Sequence, residues 1–265
     1  MRVGSLCTGY GGLDLAVEAV TNGHTIWYSE FDKHAAKIME HHRPDLTNLW
    51  DLTKVDWSSV EPIDILTAGY PCQPFSTAGK RKGTNDPRHL WPNIAKAISM
   101  LRPQLVVLEN VRGHLSLGFA EVVAELSRIG YDARWQLVRA ADIGAPHARA
   151  RLFIVAYPNG QRLQRDEIES GQPSAYLNRN IAKSDLPFVN WGKHQKAINR
   201  WESITRQCPN PIINNRLNPK FVEWMMGLPD GWVTGTSLSH TQQLKALGNG
   251  VVPQQAEHAL KLLMT

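Results

Sequence analysis

Strand-like and helix-like segments alternate through residues 1–157, and this alternation constrains the fold more than any other feature of the sequence. Short apolar runs at 63–68 and 105–108 are typical of strands that are buried on both faces. Such alternation predicts right-handed crossovers, and therefore an α/β fold with a doubly wound, mostly parallel sheet. The predicted strands are 2–8, 25–29, 63–68, 105–108, 131–138 and 151–157, and the predicted helices are 11–20, 32–41, 91–101 and 118–129.

The alternation stops at Pro158. Residues 158–215 show little periodicity, are rich in Asn, Gln, Gly and Pro, and carry more basic than acidic residues. Two interpretations remain open, namely an irregular insertion on the surface or a module that reads a substrate. Helical patterns return at 219–226 and 253–263, and we expect the last helix to pack against the first sheet. The predicted domains are residues 1–157 plus 240–265, and a small irregular domain of residues 158–239.

Composition excludes several classes of protein. No apolar run approaches the ~20 residues that a membrane helix requires, and the first strand begins at Arg2, which leaves no room for a signal peptide. Cys7, Cys72 and Cys208 are too few and too scattered for a disulfide framework. The net charge of +5 permits a polyanionic partner. We therefore expect a cytoplasmic protein with reduced thiols, no metal site and no membrane association.

A glycine-rich turn, Gly-Tyr-Gly-Gly at residues 9–12, follows the first predicted strand. Glycines let the backbone turn tightly and approach a ligand closely. Glu30 ends the second strand, where nucleoside-binding folds place a carboxylate for ribose hydroxyls, and Asp51 is an acceptor suited to an adenine amino group. Asp14 stands where the dinucleotide pattern requires glycine, so a nucleoside site and a plain turn both remain open.

Cys72 lies between two prolines in the segment Pro-Cys-Gln-Pro-Phe-Ser, which follows the strand at 63–68. A lone cysteine is usually a small buried hydrophobic residue. Two prolines, however, stiffen the backbone in the way that a fixed nucleophile requires. Cations favour the reactive thiolate, and a basic loop at 80–89 follows this segment, suited to contacting phosphates or closing over a site.

Two further polar clusters follow predicted strands. Glu109 comes directly after four apolar residues, which favours a protonated or hydrogen-bonded functional carboxyl group over a simple turn residue. His147, Arg149 and Arg151 alternate into the strand at 151–157 and should project from one face. Such a face suits an anion or a carbonyl group. A solvated edge strand is the alternative.

In this order, these residues closely resemble the DNA cytosine-5 methyltransferase family. Pro-Cys-Gln-Pro-Phe-Ser followed by Glu-Asn-Val is highly specific to it, whereas the glycine-rich turn and Gly-Asn-Gly-Val would each be weak alone. The resemblance covers 5–15, Glu30, Asp51, 69–76, 109–111, 147–151, 216–229 and 248–252. It implies a sheet of the S-adenosylmethionine-dependent methyltransferase type. The implied activity is transfer of a methyl group to C5 of a cytosine flipped out of a short, specific DNA sequence.

The resemblance implies a site for S-adenosylmethionine over the glycine-rich turn. Glu30 would contact its ribose, Asp51 its adenine amino group and Phe31 the face of its adenine ring. The residues implied to bind this cofactor are Gly9, Tyr10, Gly11, Gly12, Leu13, Glu30, Phe31, Asp51, Leu52, Gly69, Pro71, Asn249, Gly250 and Val251.

The resemblance also implies the catalytic and DNA-binding residues. Cys72 would attack C6 of the cytosine, Glu109 would hold its amino group and N3, and Arg149 and Arg151 would orient Glu109 and the cytosine O2. The implied partner is double-stranded DNA, read in part by residues 158–239; the protein is expected to be a monomer, and a cognate restriction endonuclease is a further partner that the resemblance allows. The implied DNA contacts are Ser76, Lys80, Arg81, Lys82 and Arg88.

Two departures and three alternatives qualify the resemblance. Cys7 stands where many members have Phe, and we expect it to be buried and inert; His147 stands where many have Gln, and we expect it to keep a hydrogen-bonding role. A transfer-RNA cytosine methyltransferase would carry Cys-Phe-Thr in its later half, which this chain lacks. The intact catalytic residues argue against an idle base-flipping protein. Asp14 disfavours a nicotinamide oxidoreductase.

Overall fold

The structure is a computed structural model that describes residues 1–71, 90–161 and 189–265. Its strands are β1 Arg2–Leu6, β2 His24–Ser29, β3 Thr47–Asn48, β4 Ile65–Ala68, β5 Leu105–Val111, β6 Tyr131–Arg139, β7 Ala150–Pro158, β8 Ile212–Ile213 and β9 Arg216–Leu217. Its helices are α1 Gly12–Thr21, α2 Lys33–His42, α3 Trp91–Leu101, α4 Phe119–Arg128, α5 Gln195–Ile204, α6 Pro219–Met225, α7 His240–Asn249 and α8 Pro253–Met264.

Seven strands form one sheet in the order β3-β2-β1-β4-β5-β7-β6. Strands β1 to β5 pair in parallel, whereas β7 pairs antiparallel with both β5 and β6. The predicted α/β fold with a doubly wound, mostly parallel sheet is therefore confirmed. From β1 the chain adds β2 and β3 on one side of the sheet and then adds β4 and β5 on the other side. Ligands in such sheets bind beyond the carboxyl ends of the strands at this point, between β1 and β4.

Helices cover both faces of the sheet, which explains the continuous apolar runs in its central strands. In β5, Val106 and Leu108 pack in one core with α3 and α4, whereas Leu105 and Val107 pack in the other. That second core also contains residues of α1 and α8, so the C-terminal helix returns to the sheet as expected. Residues 105–108 of β5 are therefore buried on both faces.

A third core joins the start of the chain to the segment after residue 189. Tyr10 belongs to the same buried cluster as Trp201 of α5 and Trp224 of α6. The Trp201 indole donates to the Trp224 carbonyl oxygen at 2.8 Å, and the Trp232 indole donates to the Tyr10 carbonyl oxygen at 2.8 Å. The described part of 158–239 therefore packs directly on the sheet domain, while the boundary between the two stays a prediction.

Two helices were absent from the sequence prediction. Helix α5 lies in the segment expected to be irregular, and it buries only Ile198 and Trp201, so its apolar stripe is too sparse to stand out. Helix α7 buries only Leu247, but Ser239 and Gln242 form a capping box at its start. That Ser-x-x-Gln pattern is a readable start signal. Within the described ranges, no helix is both long and apolar enough to cross a membrane.

Asp14, in the first turn of α1, ties three elements together behind the glycine-rich turn. Its carboxyl group accepts hydrogen bonds from Ser5 of β1 at 2.9 Å and from Thr67 of β4 at 2.5 Å. Asp14 is buried, and burial raises its pKa to about 6 despite these two hydrogen bonds. Desolvation therefore outweighs the hydroxyl donors.

The raised pKa of Asp14 predicts a pH-dependent stability. The folded state binds a proton below pH 6 that the unfolded chain does not bind until nearer pH 4, so acidification across this window stabilises the fold. Relative to Asp14→Asn, the wild-type free energy of unfolding should rise by about 1.3 kcal/mol from pH 7 to pH 5. Urea denaturation at both pH values measures this difference. Asp132→Asn, at an exposed position on β6, should show the same change in unfolding free energy between the two pH values as the wild type. A difference between the wild type and Asp14→Asn that is the same at pH 7 and pH 5 would contradict the prediction.

Candidate active site

A cavity of about 740 Å³ opens beyond the carboxyl ends of β1, β2, β4 and β5. Its wall joins residues from both ends of the chain because parallel strands all end at this edge. The predicted site residues that line the cavity are Gly9, Tyr10, Glu30, Phe31, Asp51, Leu52, Gly69, Pro71, Glu109, Arg151 and Asn249.

Several predicted site residues lie behind the cavity wall. A Cβ atom on Gly12 would overlap the Val251 carbonyl, and one on Gly250 would overlap the Tyr10 ring. The Tyr10 hydroxyl also donates to the Val251 carbonyl oxygen at 2.7 Å. The glycines therefore let the first and last segments of the chain meet at the cavity. The remaining residues outside the lining are Gly11, Leu13 and Arg149.

The predicted nucleophile and the predicted DNA contacts fall in 72–89, which lies outside the described residues. Pro71, the last described residue before this segment, lines the cavity. The residues in question are Cys72, Ser76, Lys80, Arg81, Lys82 and Arg88.

Glu30 forms an acceptor on the cavity wall directly after β2. One carboxylate oxygen accepts from the Gly9 amide and the other from the Asp32 amide, both at 2.7 Å. Gly9 has φ of 60° with open space where a Cβ would be, and this left-handed conformation suits glycine. Burial raises the pKa of Glu30, and the two amide hydrogen bonds oppose this shift. The outcome is a fixed carboxyl group facing the space over the glycine-rich turn.

An acceptor and an aromatic ring also line the cavity. The carboxylate of Asp51 accepts from the Thr53 amide and hydroxyl, and the hydroxyl is the main reason its pKa is lowered. Phe31 lines the cavity with 72% of its surface exposed. An ionised acceptor and an uncovered ring together suit a purine with an amino group.

Glu109 occupies the carboxyl end of β5, where its side chain is buried. Its Oε1 lies 2.9 Å from Arg151 Nε, because antiparallel pairing sets β7 alongside the end of β5. Burial raises the pKa of Glu109, and Arg151 is the strongest opposing influence. The backbone before Cys72 runs beside this carboxyl group, since a Cβ on Gly69 would lie 3.6 Å from Glu109 Oε2. Asn110 supports that turn by donating to the Tyr70 carbonyl oxygen at 3.3 Å.

The expectation that His147, Arg149 and Arg151 project from one face of a strand is wrong. Strand β7 begins only at residue 150, and Arg149 has φ of 28°, which breaks the alternation. Arg149 Nη2 instead donates to the carbonyl oxygens of Gly248 at 3.0 Å and Gly250 at 2.5 Å. His147 Nε2 bonds the Met225 carbonyl oxygen at 2.8 Å. Of the three residues, Arg151 forms the ion pair with Glu109, whereas Arg149 holds the segment at 248–250 by hydrogen bonds to its backbone.

Cys7 is partly rather than fully buried, and it lines the cavity. Burial raises its pKa strongly, with a further increase from the nearby charge of Glu30. The thiol is therefore protonated at neutral pH and lacks the thiolate that nucleophilic attack requires.

Trp50 and Lys245 are among the cavity residues that the sequence prediction missed. Lys245 Nζ lies 2.7 Å from Asp32 Oδ2, which links α7 to the start of α2 at the cavity lining. No local pattern marks Lys245, because its role depends on where α7 packs. Across residues 1–71, 90–161 and 189–265, no group of three or more His, Cys, Asp or Glu could hold a metal ion.

Comparison with known proteins gives a family and a fold. A family model described as "C-5 cytosine-specific DNA methylase" matches residues 1–185. The Type II methyltransferase M.NgoBI of Neisseria gonorrhoeae is 36% identical, covering 93% of this chain and 87% of that protein. The Type II methyltransferase M.Bsp6I of Bacillus sp. (strain RFL6) is 32% identical, covering 65% of this chain but only 57% of that protein.

The fold is shared with a solved structure at much lower identity. A mutant of Spodoptera frugiperda DNMT2 has a TM-score of 0.70 and 18% identity, covering 100% of this chain and 99% of that one. At this identity the likeness shows the fold alone.

The buried pair predicts a coupled effect on stability. Arg151→Met should lower the free energy of unfolding by about 3 kcal/mol, because it leaves a buried carboxylate without its counter-charge. Adding Glu109→Gln should restore most of this stability, because the amide has no charge to bury. Urea denaturation of the two single variants and the double variant measures the coupling. Arg128→Met, in an exposed pair, is the matched control and should barely change stability; additive effects at Arg151 and Glu109 would contradict the assignment.

Proposed function

We propose that this chain, which belongs to the C-5 cytosine-specific DNA methylase family, transfers a methyl group from S-adenosylmethionine to C5 of a cytosine in double-stranded DNA. One observation carries the proposal. The turn that leads to Cys72 passes the Glu109–Arg151 pair inside the same cavity that holds the candidate nucleoside-binding residues. A nucleophile, an acid that can share a proton and a site for the methyl donor would thus meet in one cavity.

The residues present fit S-adenosylmethionine. A cavity of about 740 Å³ lies within the range of ~300–1,000 Å³ typical of cofactor sites. Glu30 offers a carboxyl group for ribose hydroxyls, Asp51 an acceptor for an amino group and Phe31 an exposed ring for the adenine face. When bound, S-adenosylmethionine would supply an electrophilic methyl group. Arg149 and Tyr10 would hold the closing segment at 248–251 in place.

The chemistry assigned to the chain's own residues begins with Cys72. Once its proton is lost to solvent, its sulfur would form a bond to C6 of the cytosine, the electron pair of the C5=C6 bond shifting to form C4=C5 and that of the C4=N3 bond moving to N3. Glu109 would share its proton with N3 as negative charge develops there, a role that suits a carboxyl group whose pKa is raised by burial. C5 thereby becomes nucleophilic. C5 would take the methyl group that S-adenosylmethionine supplies. Loss of the C5 proton to solvent would then re-form the C5=C6 bond as Cys72 leaves as a thiolate, and N3 would return its proton to Glu109.

The position of C5 within stacked DNA requires the base to leave the helix, at a cost of a few kcal/mol. We propose that the basic loop at 80–89 closes on the displaced nucleotide and that residues 158–239 form a target-recognition domain that reads neighbouring bases. The description of the matching family as a DNA methylase supports DNA as the substrate. So does the absence of Cys-Phe-Thr from this chain, the signature of the transfer-RNA branch. We further propose that the enzyme is a monomer and that a cognate restriction endonuclease is its partner.

Cys72→Ala should abolish methyl transfer while leaving S-adenosylmethionine binding nearly unchanged, because the thiol contacts the base. Transfer of labelled methyl groups to plasmid DNA and calorimetric titration with S-adenosylmethionine measure the two properties. Cys208→Ala is the matched control, since Cys208 is a partly buried thiol whose pKa is raised by burial. Loss of both properties in Cys72→Ala would instead make the residue structural.

A duplex containing 5-fluorocytosine at the methylated position extends this test. Fluorine cannot leave C5 as a proton does, so wild-type enzyme should remain covalently attached through Cys72. Denaturing electrophoresis detects the adduct, and Cys72→Ala should form none. Efficient methylation of ordinary DNA without any adduct on the fluorinated duplex would overturn the covalent mechanism.

Neutralising Lys80, Arg81 and Lys82 together should weaken DNA binding and reduce its dependence on salt. Each DNA phosphate that the loop no longer neutralises lowers the slope of log affinity against log salt by about 0.9. Fluorescence anisotropy across a salt series measures that slope. The control variant neutralises exposed cations on the helices and should leave the slope intact; its positions are Lys96, Arg128 and Lys261. An unchanged slope in the loop variant would assign the loop charges to solvent.

A further inference from the structure

Trp50 is an aromatic side chain in the cavity that the proposed mechanism does not use. It lines the cavity with 48% of its surface exposed. Its neighbours Leu49 and Leu52 both pack in the core beneath α3, whereas the Trp50 ring is turned away from that core. A large apolar ring left uncovered on a cavity wall is typical of a ligand-binding surface.

The backbone of Trp50 is held in a conformation that bulky residues rarely adopt. Its φ is 56°, in the left-handed region that favours glycine. Strained positions of this kind persist where surrounding contacts enforce them, and they cluster at ligand sites. A purely structural role at this position would be better served by glycine, so the side chain itself needs an explanation.

Two polar side chains enforce that conformation and link Trp50 to Glu30. Asn48 Oδ1 accepts from the amides of both Trp50 at 2.9 Å and Glu30 at 3.1 Å, and Asn48 Nδ2 donates to the Glu30 carbonyl oxygen at 3.2 Å. The Ser29 hydroxyl donates to the Trp50 carbonyl oxygen at 2.7 Å. The ends of β2 and β3 are therefore one hydrogen-bonded unit. This unit carries Glu30, Phe31 and Trp50, all three of which line the cavity.

We propose that Trp50 is a binding residue for the adenine of S-adenosylmethionine, forming a second aromatic surface of the donor site in addition to Phe31. This inference rests on the proposed function and goes beyond the residues that the family resemblance supplies. Adenine has two faces, and covering both with rings removes more apolar surface from water than one ring can. Stacking of a base on an aromatic side chain corresponds to a roughly 5- to 150-fold change in affinity.

Trp50→Gly separates binding from folding. Glycine adopts the observed φ without strain, so the variant should melt at the same temperature as the wild type or higher. Its affinity for S-adenosylmethionine, measured by calorimetry, should nevertheless fall by about tenfold or more. Adenosine alone should lose affinity by a similar factor, because the contact is with the base. Trp135→Gly is the matched control, since Trp135 is 46% exposed on β6 and lies outside the cavity lining.

A graded series keeps the test decisive. Trp50→Phe should retain most of the affinity, whereas Trp50→Leu, which keeps apolar bulk without an aromatic ring, should resemble Trp50→Gly. The adenine contact would be overturned if folded Trp50→Gly bound S-adenosylmethionine with wild-type affinity. It would also be overturned if that variant lost affinity for S-adenosylmethionine but not for adenosine. Equal affinities in the Phe and Leu variants would also overturn it. A wild-type protein that binds no S-adenosylmethionine would instead overturn the proposed function itself.

Discussion

A carboxyl group buried at the end of a central strand needs a counter-charge, and this need organises the site. Glu109 lies at the end of β5 with Arg151 at 2.9 Å as its partner. That partner is available because β7 runs antiparallel beside β5 and begins where β5 ends. Were β7 parallel, its opposite end would lie there, and Glu109 would have to stay neutral or shift its pKa further.

The two ends of the chain meet at the cavity through backbone contacts. Gly12 and Gly250 carry no side chain where one would overlap the opposing segment, and the Tyr10 hydroxyl binds the Val251 carbonyl oxygen. Arg149 adds two hydrogen bonds to the same closing segment. Glycines in the turn at 9–12 and in the segment at 248–251 are therefore required for close packing of the backbone, independently of any ligand. The spacing of glycines in a sequence does not by itself distinguish close packing from ligand binding.

Local signals were sufficient for much of the fold and part of the site. The apolar run before Glu109 identified both a buried strand and an unusual carboxyl group at its end, because a strand covered on both faces favours apolar residues. Glu30 was likewise readable from its place after β2. Trp50 was not, since its exposure and left-handed backbone depend on Asn48 and Ser29 holding two strand ends together.

The amino-acid sequence by itself determined the strand and helix alternation, the glycine-rich turn and the order of the polar clusters. These features depend on residues close together in the chain, where period and propensity act directly. Only the tertiary structure decided that Arg151 pairs with Glu109 while Arg149 braces the segment about 100 residues later. A positive φ at Arg149 breaks the alternation between the two arginines, and the packing of α7 and α8 brings the carbonyl oxygens of Gly248 and Gly250 to Arg149. Contacts between such distant segments depend on how the elements assemble, and that information is not contained in local pattern.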